Sequence, residues 1–92
     1  MEHDYSNWQV TEKGLFRSLQ FDNFTKLTQL LARLGTIADA IKHHPHYIEI
    51  RDARILDVYL ITHDKNKVTG KDYNQAFDID TLYQMVLDNG YV

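Results

Sequence analysis

With 92 residues, the chain is long enough for one domain with a modest core and too short for two cores. Lysine and arginine number 10 against 13 aspartates and glutamates, so the formal net charge is -3, and no basic run offers a surface for a phosphate backbone or an anionic membrane. The absence of cysteine excludes disulfides and thiolate zinc sites, and no apolar run approaches the length of a membrane span.

These properties predict a single cytoplasmic domain, residues 1–92, that contacts neither nucleic acid nor a membrane directly. The polar residues 1–7 lack the apolar run of a secretory signal, and we expect them to be loose, with His3 as a solvated surface group. Because so small a domain buries a limited share of its surface, we expect self-association to a homodimer or homotetramer.

The first pattern along the chain predicts a β-hairpin. Residues 8–10 are typical of a short strand, a glycine-containing turn follows at residues 11–14, and residues 15–21 predict the second strand. Arg17 interrupts the apolar face of that second strand, whose other members are Leu15, Leu19 and Phe21.

From Phe24 the spacing of apolar residues changes to steps of three and four, which predicts a helix with one buried stripe. Either residue of the preceding Asp-Asn pair can cap its first turn. Pro45 forbids the helix from continuing past His43 or His44, so both histidines are expected where the helix ends. The stripe comprises Phe24, Leu27, Leu30, Leu31, Leu34, Ile37, Ala38 and Ile41.

The second half of the chain repeats this order. Residues 47–51 and 55–62 are β-branched and aromatic runs separated by a turn at Asp52 and Ala53, which predicts a second hairpin. Residues 69–72 resemble a capping box, and helical spacing continues from there to residues 89–90.

Two hairpins, each followed by a helix, predict the order β-β-α-β-β-α. Hairpins make antiparallel neighbours, so the fold class is α+β, with a single four-stranded antiparallel sheet and two long helices packed on one face.

The histidines are unevenly distributed, since four of the five lie between positions 43 and 63. A hairpin that begins after His44 and ends at His63 brings its two open ends together, which places His63 beside the end of the first helix. Asp39 lies four residues before His43 on the same helix, so its carboxylate is expected to orient that imidazole. Asp72 begins the last helix. The sequence therefore predicts one pocket holding three imidazoles and two carboxylates.

These residues resemble the motif of the pterin-4a-carbinolamine dehydratase family. That motif has an acidic residue, three spacers, His-His-Pro, an aromatic residue after one more position, then a distant histidine and an aspartate nine positions later. The matching residues are Asp39, His43, His44, Pro45, Tyr47, His63 and Asp72, with Trp8, Phe21 and Phe24 as matches further upstream. Two features depart from the family: Tyr47 stands where many members have tryptophan, and the hairpin is about two residues longer, an even insertion that leaves the strand faces unchanged.

The resemblance implies an activity, the loss of water from a 4a-hydroxytetrahydropterin to give a quinonoid dihydropterin, without a metal or an organic cofactor. It implies that His43 and His63 transfer the protons and that His44 holds the pterin ring or shares the acid role. The expected substrate-binding or orienting residues are Asp39, Pro45, Tyr47, Thr62 and Asp72.

The same residues also allow structural interpretations. His43 and His44 can cap a helix, and Asp72 can serve only the capping box. Asp39 can be solvated, Tyr47 can be an ordinary sheet residue, and three imidazoles can chelate a metal, namely those of His44, His46 and His63.

A non-enzymatic function is the main rival. Proteins that resemble this family also act as dimerisation cofactors of a transcription factor or as assembly chaperones, so the fold can serve as a binding module alone. The presence of all three motif histidines favours the enzyme.

Overall fold

The computed structural model describes residues 3–89, which form four strands and two helices in the predicted order. The elements are β1 (Gln9–Thr11), β2 (Gly14–Gln20), α1 (Phe24–Ile41), β3 (Tyr47–Arg51), β4 (Ile55–Leu60) and α2 (Gly70–Asn89). The predicted α+β fold is confirmed. Within the described residues, neither helix has the length and apolar character needed to cross a lipid bilayer.

All neighbouring strands of the sheet are antiparallel, and their order is β1-β2-β4-β3. The two central strands turn alternate residues towards the helices. These residues are Leu15, Leu19, Leu56, Val58 and Leu60, and each of them is almost completely buried. The second hairpin turns at Asp52 and Ala53, as predicted, and both residues adopt positive φ angles.

The apolar stripe predicted for helix α1 is buried along most of its length but not at its two ends. Asn23 is the cap, since its side chain accepts a hydrogen bond from the backbone of Lys26. The middle of the stripe is buried, whereas Phe24 and Ile41 are about half exposed, at 51% and 49%. The prediction that the whole stripe is buried was therefore wrong for the first and last turns. The buried stripe residues are Leu27, Leu30, Leu34 and Ala38.

Arg17, the exception on the apolar face of β2, is explained by an acidic residue on α2. Its guanidinium donates to the carboxylate of Asp80, which also accepts a hydrogen bond from Trp8 Nε1 at 2.9 Å. The side chain of Asp80 is only 9% exposed, so these donors replace its hydration.

Residues 3–8 form no strand or helix, but they contact the domain. His3 Nε2 lies 2.7 Å from Asp80 Oδ2, and the ring of Tyr5 packs edge-on against Tyr73. His3 is therefore part of a polar cluster on α2 rather than the solvated surface group that we expected. The expectation that the first seven residues are loose includes positions 1–2, which lie outside the described residues.

The sheet face opposite the helices has a buried acidic residue of its own. Asp57 on β4 is 8% exposed and accepts hydrogen bonds from Arg51 and Ser18, each at 2.7 Å. The hydrogen bond from Arg51 is the largest cause that holds the pKa of Asp57 below its ordinary value of 3.8; burial opposes it, and Ser18 adds to it.

Replacing Arg51 with glutamine is expected to reduce stability in a pH-dependent way. A carboxyl group whose pKa is lower in the folded than in the unfolded chain stabilises the fold above its unfolded pKa, and this stabilisation is lost as the pH falls through the folded value. Arg51→Gln should therefore lower the free energy of unfolding near neutral pH, and the difference from wild type should shrink below about pH 3. Urea denaturation at both pH values measures this effect. Arg54→Gln, the same charge change three residues further along, should lack the pH dependence, and equal behaviour of the two variants would contradict the assignment.

Candidate active site

The candidate site is organised around the buried carboxylate of Asp72, in the first turn of α2. Asp72 is fully buried, with 0% of its surface exposed. Its Oδ1 lies 2.8 Å from His43 Nε2, and its Oδ2 accepts from the hydroxyl of Thr62 at 2.8 Å and the backbone N–H of Thr69 at 2.9 Å. One side chain thus joins the end of α1, the segment after β4 and the start of α2.

The hydrogen-bond directions around Asp72 fix the protons of its partners. A carboxylate only accepts, so the His43 nitrogen that faces it bears the hydrogen, and in a neutral ring Nδ1 is then the acceptor. The hydroxyl proton of Thr62 is used by Asp72, so Thr69 is the donor in the 2.6 Å contact between the two threonine hydroxyls. His43 therefore has a defined tautomer and ring orientation.

The capping box was predicted in part. Asp72 accepts from the backbone of Thr69, as the motif requires, but the Thr69 hydroxyl bonds Thr62 instead of completing the box. The capping role of Asp72 and its contact with His43 are therefore compatible, since different oxygens of the carboxylate contact Thr69 and His43.

Gln75, which was not among the predicted site residues, fixes the backbone of His43. It is fully buried, and its Nε2 donates to the His43 carbonyl oxygen at 2.6 Å. That contact satisfies a carbonyl just past the end of α1, where helical partners are missing. In the sequence, the only signal for this residue was its position three residues after Asp72 and next to Ala76, which continues the apolar spacing of the helix.

The partner of Asp39 differs from the expectation. Asp39 Oδ1 lies 2.7 Å from His44 Nε2, so it contacts His44 and not His43. The reason is local, since Lys42 adopts a left-handed conformation with φ 56° and ends the helix. His43 therefore does not lie one helical turn above Asp39 on the same face of α1. This pair lies in solvent, with side-chain exposures of 61% for His44 and 79% for Asp39.

His63 lies in the tight turn after β4, which is closed by a bridge between Thr62 and Lys67. Its ring contacts His46, with 5.0 Å between ring centroids and 58° between ring planes. Within residues 3–89, no hydrogen bond or ring contact joins His63 to His43 or His44. The three imidazoles are therefore not in direct contact with one another, and His63 is linked to His43 through its chain neighbour Thr62 and the shared carboxylate.

Two cavities flank the segment from His43 to His46. One, of about 270 Å³, is lined by Ile41, Lys42, His43, Lys71, Asn74 and Asp78. The other, of about 430 Å³, is lined by Lys13, His46, Tyr47, Glu49 and Tyr59. The exposed His44 and the partly exposed Pro45 lie between His43 and His46 in the chain. Only the second cavity has a volume within the range of about 300–1,000 Å³ that is usual for small-molecule pockets.

Tyr47 lies on the face of the sheet opposite the helices and is half exposed. Its hydroxyl donates to Glu49 at 3.2 Å, and this contact raises the pKa of the tyrosine above its ordinary value. Its ring lies 5.8 Å from that of Tyr59, so the cavity has an aromatic wall.

For the alternative in which histidines chelate a metal ion, no cluster of three or more potential metal ligands forms among the residues that the structure describes.

The family model described as pterin 4 alpha carbinolamine dehydratase matches residues 1–82 of the chain. A protein of Christiangramia forsetii, provisionally named as such a dehydratase, is 30% identical over 80 residues, which cover 87% of this chain and 80% of that protein. A Mycobacterium leprae protein with the same provisional name is 35% identical over 79 residues, covering 86% and 82%.

Solved structures agree with the fold. The crystal structure of a transcriptional coactivator/pterin dehydratase from Brucella melitensis superposes with a TM-score of 0.77 at 26% identity, covering 84% of this chain and 82% of that one. A pterin dehydratase-like protein identified as a RuBisCO assembly factor in the alpha-carboxysome superposes with a TM-score of 0.72, covering 89% and 96%. At 18% identity, the second likeness supports the fold alone.

Asp72→Asn is expected to destabilise the protein by about 2 kcal/mol. The asparagine amide would place an N–H donor against groups that themselves donate to Asp72, at a side chain that is fully buried. Asp39→Asn alters the exposed aspartate-histidine pair in the same way and should change stability by less than about 0.5 kcal/mol. Urea denaturation of both variants at neutral pH measures the difference. Equal losses would show that Asp72 does not join the three segments as its contacts indicate.

Proposed function

Because this chain belongs to the pterin 4 alpha carbinolamine dehydratase family, we propose that it removes water from a 4a-hydroxytetrahydropterin to give the quinonoid dihydropterin in the recycling of tetrahydrobiopterin. The observation that carries the proposal is the imidazole of His43, held on a buried carboxylate and bordering a cavity. No metal or organic cofactor is needed for this reaction.

Two proton transfers are required. The carbon–oxygen bond at the 4a position breaks, and hydroxide is a poor leaving group, so an acid must deliver a proton to it as it leaves as water. A base must take the proton from a ring nitrogen, whose electron pair then forms the new carbon–nitrogen double bond. Imidazoles titrate close to neutral pH and can serve in either role.

His43 has the features of the base. Asp72 holds the hydrogen on its Nε2, so its Nδ1 can accept a proton, and the resulting imidazolium would be stabilised by the adjacent carboxylate. Its side chain is 13% exposed, which leaves it accessible from the cavity while most of the ring is held by protein. Thr62 supports this arrangement through its own hydrogen bond to Asp72.

His63 and His44 are assigned to the other side of the substrate. Both are exposed, so they can take up protons from water, and each has one neighbour that limits its orientation. We assign the acid role to His63, with His44 holding the pterin ring or sharing that role, and Asp39 orienting His44. Pro45 and Tyr47 would then border the bound substrate between the two cavities.

His43→Ala and His63→Ala should each reduce the dehydration rate by about 100-fold or more, because each removes one proton transfer. The assay follows the decay of a 4a-hydroxytetrahydropterin, generated enzymatically in the cuvette, after subtraction of the spontaneous rate. His3→Ala, which removes an imidazole from the unrelated Asp80 cluster, should keep the wild-type rate.

Full activity of both His43→Ala and His63→Ala would refute the acid–base assignment. A folded wild-type protein that fails to accelerate dehydration would refute the enzymatic function. The rival function, a binding module of the same fold, would then be favoured.

We further infer that the protein is a homodimer or homotetramer in the cytoplasm. Large apolar side chains on both helices remain 46–51% exposed in the single chain, namely Phe24, Ile41 and Phe77. Sedimentation equilibrium should give a mass of two or four chains, and a monomer at micromolar concentration would contradict this inference.

A further inference from the structure

His46 is a fourth imidazole at the candidate site, and it is the one in ring contact with His63. It follows Pro45, and its backbone N–H donates to the Tyr59 carbonyl oxygen at 2.8 Å, which fixes the start of β3 against β4. The ring centroids of His46 and His63 lie 5.0 Å apart. His46 also borders the cavity of about 430 Å³, whereas His63 is not part of its lining.

Among the described residues, no other titratable side chain is hydrogen-bonded to the ring of His46 or of His63. The other titratable groups that border the cavity are Lys13, Tyr47, Glu49 and Tyr59. The Glu49 carboxylate accepts from the Tyr47 hydroxyl, and no described hydrogen bond or ion pair joins Lys13 or Glu49 to either imidazole. Asp64 and Lys65 follow His63 in its own turn and are exposed.

We propose that His46 is a positioning residue for His63 in the dehydration reaction. This inference rests on the proposed function, and it adds a residue that acts through a catalytic group. The ring of His46 limits the orientations of His63, which otherwise lies in an exposed turn.

If His46 acts through its ring, a variant that keeps a ring and one that lacks it must behave differently. His46→Phe keeps a flat ring beside His63 and the backbone hydrogen bond to Tyr59. His46→Gln keeps a polar side chain and the same backbone hydrogen bond without the ring. Thermal melts establish that both variants fold.

For His46→Gln we expect kcat to fall on the order of tenfold while KM changes less than about twofold, because the residue acts on the orientation of the acid and not on binding. His46→Phe should restore most of the wild-type kcat. Nuclear magnetic resonance provides a readout that is independent of activity. Nuclear Overhauser effects should join the ring protons of residues 46 and 63 in wild type and in His46→Phe, and the ring signals of His63 should shift in His46→Gln. His3→Phe should leave the ring signals of His63 unchanged.

The outcomes separate this inference from the proposed function. Wild-type kcat in His46→Gln together with unchanged ring signals of His63 would overturn the role of His46, even if His63→Ala abolished activity. A wild-type protein in which the two rings are in contact but which has no dehydratase activity would overturn the proposed function, and the role of His46 in catalysis with it.

Discussion

The buried carboxylate of Asp72 is the constraint on which both the fold and the candidate site depend. A carboxylate removed from water must receive hydrogen bonds from protein groups, and here the donors come from three segments that are distant in the chain. The end of α1, the segment after β4 and the start of α2 must all be in place before its requirements are met. The same contacts then hold the ring of His43.

A second acidic residue on α2 fixes the opposite side of the domain. Asp80, two turns beyond Asp72, accepts from Arg17 on β2 and from Trp8 just before β1, with the His3 ring also in contact. Both carboxylates take donors from other elements, so each works only when α2 is correctly placed along its axis against the sheet. The two carboxylates thus specify the position of α2 along its axis, in addition to its buried apolar side chains.

The sequence was sufficient for the architecture because periodicity reports burial directly. The strand faces and the middle of the α1 stripe, at Leu27, Leu30 and Leu34, were predictable on that basis. The side-chain partners at the site were not. Whether Asp39 meets His43 or His44 depends on one residue, Lys42, taking a left-handed conformation that no periodic pattern reports.

The different exposure of the histidines matches what the proposed reaction demands of them. A base that takes a proton from one ring nitrogen must be oriented, and His43 is the imidazole held by a buried carboxylate. An acid that has lost its proton to the departing hydroxide must regain one before the next turnover, and an exposed ring such as His63 can do so from water. Because one group gains a proton as the other loses one, no net proton is consumed, and exchange through solvent is sufficient to reset the site. The proposed roles therefore pair a fixed base with an exposed acid, whereas two equally buried imidazoles would exchange protons with solvent less readily.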